Sequence, residues 1–95
     1  MKENNKKKNF RQLERVVKGF ANHWRIEMLN LLVETPELSV DEVATELNIN
    51  FKTASEHIRR LAIAGLVLKR SEGNNVRHKL TPRAESILKF LRILE

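Results

Sequence analysis

The chain has 95 residues, 18 Lys and Arg against 12 Asp and Glu, and a formal net charge of +6. That length suits one domain with a modest core, for which a second copy would help to cover apolar surface. No apolar run approaches the roughly 20 residues of a membrane span, so no membrane partner is expected, and the lack of cysteine excludes disulfides and thiolate metal sites.

Residues 1–8 are polar and mostly basic and are expected to form a disordered arm ahead of a domain over residues 9–95. MKENNKKKNF lacks the apolar stretch of a secretory signal, so a soluble, cytoplasmic protein is expected. Phe10, Leu13, Val16 or Val17, and Phe20 fall at helical spacing and predict a first helix ending near Asn22. A second helix, His23 to Glu34, carries Trp24, Met28, Leu31 and Leu32 on one stripe, widened by Ile26, Leu29 and Val33 into the arc of a central core helix. Thr35-Pro36 stops it, because the residue before proline avoids the helical region.

Ser39 and Glu42 form a capping box for a third helix, whose buried face is Val40, Val43, Ala44 and Leu47. Asn48-Ile49-Asn50 leaves room only for a tight turn, and Asn50 caps the next helix. That fourth helix, from about Phe51 to Ala64, is expected to bury Phe51, Ala54, Ile58, Leu61 and Ala62. Lys52, Glu56, Arg59, Arg60 and Ile63 lie opposite, flanked by Thr53, Ser55 and His57, and Gly65 ends the helix. Leu66–Arg70 and Val76–Leu80 read as two short strands joined through Ser71–Asn75, with Val76, His78 and Leu80 on one face and Arg77 and Lys79 on the other. Thr81 caps and Pro82 opens a final helix reaching Glu95, with Ile87, Leu88, Phe90, Leu91, Ile93 and Leu94 as its apolar residues.

The charge follows these elements. Residues 1–18 and 49–80 each balance at +5, whereas residues 19–48 set Arg25 against six acids. Such a layout suggests a directed field rather than general solvation of surface helices. A short capped turn between two helices, the second carrying Lys52, Thr53, Ser55, Glu56, His57, Arg59 and Arg60, has what a helix needs to read base edges in a major groove. Arg and Lys donate to guanine or phosphate, Ser to either, and Glu accepts from cytosine. On the hairpin, Arg77 and Lys79 point away from the core, and Arg70, Asn74 and Asn75 are placed to reach backbone or minor groove.

Four segments in order carry a resemblance. Ala21-Asn22-His23-Trp24-Arg25-Ile26-Glu27-Met28-Leu29, Thr53-Ala54-Ser55-Glu56-His57-Ile58 with Leu61, Ala64-Gly65-Leu66-Val67, and Gly73 through Thr81 resemble the ArsR-type winged helix-turn-helix transcriptional repressors. The resemblance covers about residues 10–95. It implies a mainly α, α+β winged helix with a two-stranded wing, and first and last helices that pair two copies. The interface would then use Phe10, Leu13, Val17, Phe20, Ile87, Leu88, Leu91 and Leu94.

The departures are as informative. VDEVATEL in the third helix has no cysteine, and TPRAESILKFLRILE has no His or Asp, so neither common metal-sensing site of that family is expected. Phe51 and Lys52 stand where the family has uncharged polar residues, which bears on target sequence. His23 and Glu27, four apart, make at most two ligands, which is not a site. His78, on the inward strand face, reads as a core histidine with a satisfied nitrogen. No nucleophile with a base, paired carboxylates or glycine-rich phosphate loop appears, so neither enzyme activity nor a cofactor is expected. The expectation is a homodimer bound to double-stranded DNA as a transcriptional regulator, more a repressor than an activator, with no effector identified. The alternative is a winged-helix interaction module for an acidic protein partner. The lack of tyrosine argues against single-stranded RNA.

Overall fold

The computed structural model describes residues 9–95, and the basic arm expected at residues 1–8 lies outside the described residues. The elements are α1 (Phe10–Phe20), α2 (His23–Glu34), α3 (Val40–Leu47), α4 (Phe51–Ile63), β1 (Val67–Glu72), β2 (Asn75–Leu80) and α5 (Pro82–Leu94). This is a winged helix-turn-helix: helices around one core, with an antiparallel hairpin inserted before the last.

Every one of these helices starts on a side chain that accepts from its own first turn. Asn9 accepts from Gln12 N, Asn22 from Trp24 N and Arg25 N, Ser39 from Glu42 N, Asn50 from Thr53 N, and Thr81 from Ala84 N. A cap of this kind contributes about 0.5–2 kcal/mol, which matters for helices too short to stand alone. The Ser39–Glu42 box is complete, since Glu42 also accepts from Ser39 N at 2.8 Å. Asn22 does not end α1. It caps α2, and α1 stops at Phe20 because the chain must turn before Asn22 can reach the amides of α2.

The core is Met28, Leu29 and Leu32 of α2, Val43 and Ala44 of α3, Ala54, Ile58 and Leu61 of α4, and Leu66, Val67, Leu80, Ala84 and Leu88 behind them. Among these, α4 packs on α1, α2, α3 and β1. Phe51 departs from the expected buried stripe: it is 55% exposed. As the first residue of α4 its Cβ leans back past the cap, beyond the surface that α3 covers. Val33 also lies outside the core, so the buried arc of α2 is narrower than its composition predicts, and Val76 is exposed near the hairpin end.

Where α1 crosses α4, a Cβ on Gly19 would collide with that of Ala64, so the two helices touch there backbone to side chain. Asn48 (φ 56°) ends α3 and Gly65 (φ 76°) follows α4, each in the left-handed region that short stops favour. The hairpin pairs Val67 with Leu80 through Glu72 with Asn75. Both strands are longer than expected, because the turn uses only Gly73 and Asn74, with Gly73 at φ 60°. The connection from α2 to α3 adds a third short edge: Glu37 N donates to His78 O (2.9 Å) and His78 N to Leu38 O (3.0 Å).

Candidate nucleic-acid interface

The tight turn Asn48–Asn50 sets α4 across the end of α3, so that one side of α4 packs inward and the other is left bare. Lys52, Glu56, Arg59, Arg60 and Ile63 are exposed, while Thr53, Ser55 and His57 are half-buried at the margins, as the sequence spacing predicts. Among the described residues no acid pairs with Lys52, at the first turn. Further along, Glu56 accepts from both Arg59 (3.3 Å) and Arg60 (3.1 Å), and those two donors hold its carboxyl below the usual range. Glu56 therefore offers a base a carboxylate already shared with two guanidinium groups. Burial, and then the neighbouring Arg25, lowers the pKa of His57 and favours its neutral ring.

The wing differs from the sequence reading. Arg70 and Arg77 are cross-strand partners on its outer face, but both are held by acids. Glu37 accepts from Arg70 Nε (3.0 Å) and Nη2 (2.6 Å), which raises the Arg70 pKa. Arg77 donates to Glu72 (3.2 Å), Glu42 (3.2 Å) and the Glu37 carbonyl (3.3 Å). These contacts tie the hairpin to the start of α3. Glu37 makes them from a left-handed backbone, φ 71°, a conformation a non-glycine residue adopts at a cost. Sequence reasoning missed Glu37 and Glu42 as wing residues, and only the unusual placement of an acid straight after Pro36 hints at the first. Lys79, Asn74 and Asn75 stand exposed on the hairpin and its tip.

His78 is 1% exposed and its Nδ1 donates to Leu38 O at 2.8 Å. Burial lowers its pKa, only partly offset by that bond. His23 and Glu27 meet at 3.2 Å, and no group of three metal-ligating side chains occurs among the described residues.

Between them, α1 and α5 form an apolar groove of about 750 Å³ lined by Leu13, Val16, Val17, Phe20, Ile87 and Phe90. Phe10, Leu13, Val17 and Leu94 of the expected interface are exposed, and Ile87 and Leu91 are half-buried. Phe20 and Leu88 belong to the protomer's own core, because each helix turns one residue of its stripe inward. Phe90 and Ile93 are exposed beside them.

Comparison with known proteins agrees with this architecture. Residues 23–69, from α2 into β1, match the family described as bacterial regulatory protein, arsR family. The HTH-type transcriptional regulator Rv0324 of Mycobacterium tuberculosis is 36% identical over 69 residues, which cover 73% of this chain and 30% of that protein. The chain thus spans under a third of that relative's length. Among solved structures, the homodimeric winged helix-turn-helix DNA-binding domain of Mb0332 from Mycobacterium bovis superimposes with a TM-score of 0.81 at 29% identity, covering 90% of this chain and 79% of that one. HlyU from Vibrio cholerae gives 0.79 at 29% identity (94% and 97% covered). The transcriptional regulator HlyU from Vibrio vulnificus gives 0.73 at 30% identity (90% of each).

Proposed function

Since this chain belongs to the ArsR family of bacterial regulatory proteins, we propose that it is a homodimeric, sequence-specific duplex-DNA-binding transcriptional regulator of the cytoplasm. It acts as a repressor by occupying a promoter, and it has no metal-sensing site. The observation that carries the reading is the outward face of α4, a capped helix that leaves Lys52, Arg59 and Arg60 uncovered beside a two-stranded wing. In this reading Lys52, Thr53 and Ser55 at the start of α4 meet base edges and phosphate, with Glu56 recruited once its arginines turn to the DNA. His57, Arg59 and Arg60 hold the backbone alongside, and Lys79, Asn74 and Asn75 of the wing touch the neighbouring strand. Arg70 and Arg77 first serve to set the wing angle, through the acids that hold them. The groove between α1 and α5 takes a second copy, as the homodimeric Mb0332 domain suggests.

The test is a fluorescence-anisotropy titration against random-sequence duplex and against fragments upstream of the chain's own gene, at two salt concentrations. Tight binding to one fragment that weakens steeply with salt is expected. Lys52→Ala should weaken it by roughly 1–3 kcal/mol where a base contact is lost, and Arg60→Ala should weaken binding to all sequences alike and flatten the salt dependence, with melting temperature unchanged in both because the side chains are exposed. Unaltered affinity in both variants would move the contact face elsewhere. No binding to any duplex at low salt would point to an acidic protein partner.

A further inference from the structure

A second cationic feature lies at the far end of α4 from Lys52. The last turns of α4 and the crossing α1 enclose a cleft of about 330 Å³. Five cations line it: Arg15 and Lys18 from α1, Arg25 from α2, and Arg59 and Arg60 from α4. Its remaining lining is Gly19, Ile63 and Ala64, an apolar floor fixed by the close crossing at Gly19. Two carboxylates reach these cations. Glu14 pairs with Lys18 at 3.1 Å, and Glu56 takes both Arg59 and Arg60. Among the described residues Arg15 and Arg25 have no ion-pair partner.

Arg25 is the singular member. Its Nε is shut off from solvent and donates to nothing, the one such side-chain atom among the described residues. Buried donors are met in the great majority of cases, so an unmet one asks for an acceptor. The surroundings are also unfavourable to its charge: burial first, then Arg60, lowers its pKa. An anion in the cleft would offset the repulsion from Arg60, and a turn of the Arg25 guanidinium toward it would give the Nε its acceptor. Four guanidinium forks and one ammonium around a small space suit a group with several acceptor oxygens and more than one negative charge, which a carboxylate lacks.

We infer that this cleft is a phosphate-binding site, filled by a backbone phosphate of bound DNA or by a free phosphorylated small molecule. The first source rests on the DNA-binding reading above; the second does not. Either occupant would grip the C-terminal end of α4 against α1, the helix proposed to join the two copies.

The probe is inorganic pyrophosphate, titrated into the full chain without DNA at constant ionic strength, with amide resonances of Gly19, Ile63 and Ala64 followed by NMR. A saturable shift confined to the cleft is expected. It should weaken at least tenfold in Arg25→Gln and in Arg15→Gln, with circular dichroism and melting unchanged in at least one of them. A response no larger than that to matched sodium chloride, or one indifferent to both substitutions, overturns the site. A second arm separates the sources by the slope of log Kd against log salt for duplex DNA. If a DNA phosphate is the occupant, Arg25→Gln reduces the slope by about 0.9 and pyrophosphate competes with duplex. If a free compound is the occupant, the slope is unchanged while the pyrophosphate shift persists. A wild-type chain that binds pyrophosphate here but no duplex would refute the proposed function and leave the phosphate site standing.

Discussion

His78 shows how one buried side chain can make a fold sensitive to acid. The ring is enclosed between the wing and the core, and only its Nδ1–H has a partner, the Leu38 carbonyl. Burial holds its pKa below that of an exposed imidazole, and the same direction applies to His57. The unfolded chain therefore binds protons more readily than the native one, so stability is complete above the unfolded histidine value, about 6.5, and is lost as pH falls below it. His78→Gln keeps a donor for Leu38 and removes the titrating ring. Its melting temperature should be lower than wild type at pH 7.5 yet fall less between pH 7.5 and 5.5, as thermal unfolding followed by circular dichroism would show. An equal fall in both would assign the acid sensitivity elsewhere, with His57 the next group to replace. That His78 is a core residue was legible in the sequence, because strand alternation sets it beside Leu80. Its partner was not, because Leu38 reaches it across forty positions of chain.

At the level of elements, local signals carried most of the reading. Ser39 with Glu42, Asn50, Thr81-Pro82 and Gly65 each mark a helix end through atoms within four residues, and each does so in the structure. What failed depended on neighbours that spacing does not reveal. Phe51 has the period of the buried stripe but sits one step beyond the surface that would cover it. The wing arginines alternate outward as expected, yet meet acids delivered by the loop before α3. The wing consequently carries less free positive charge than its sequence implies. Glu72 is the acid closest to the hairpin end, paired with Arg77 at 3.2 Å and near Arg70 at 3.9 Å. Such exposed pairs stabilise by about 0–1 kcal/mol, so Glu72→Gln should melt close to wild type. It should bind random-sequence duplex a few-fold more tightly at low salt, measured by anisotropy, since one repelling charge is gone while Glu42 and the Glu37 carbonyl still hold Arg77. Weaker binding would mean that the clamp is needed to aim the wing.

For the molecule as a whole, the two faces divide the work proposed for it. One bears α4 and the wing; the other bears a 750 Å³ apolar groove with Leu13, Val17 and Phe90 half or more exposed around it. A chain of 95 residues leaves such a surface bare only at a cost in solubility. Leu13→Glu should leave the protomer folded, because the side chain is 54% exposed, and should give a monomer in sedimentation velocity. Affinity for a duplex carrying two half-sites should collapse, while affinity for a single half-site should stay near that of one protomer. A dimer that survives this substitution would place the contact elsewhere. The crossing of α1 and α4 acquires a further meaning here. With no side chain at Gly19 against Ala64, the two helices sit closer there than any side chain would allow. The proposed pair then behaves like a caliper whose jaws are the two copies of α4 and whose pivot is the α1 contact. In that proposed pair, the gap between the jaws would change if a methyl group at Gly19 forced α1 and α4 apart.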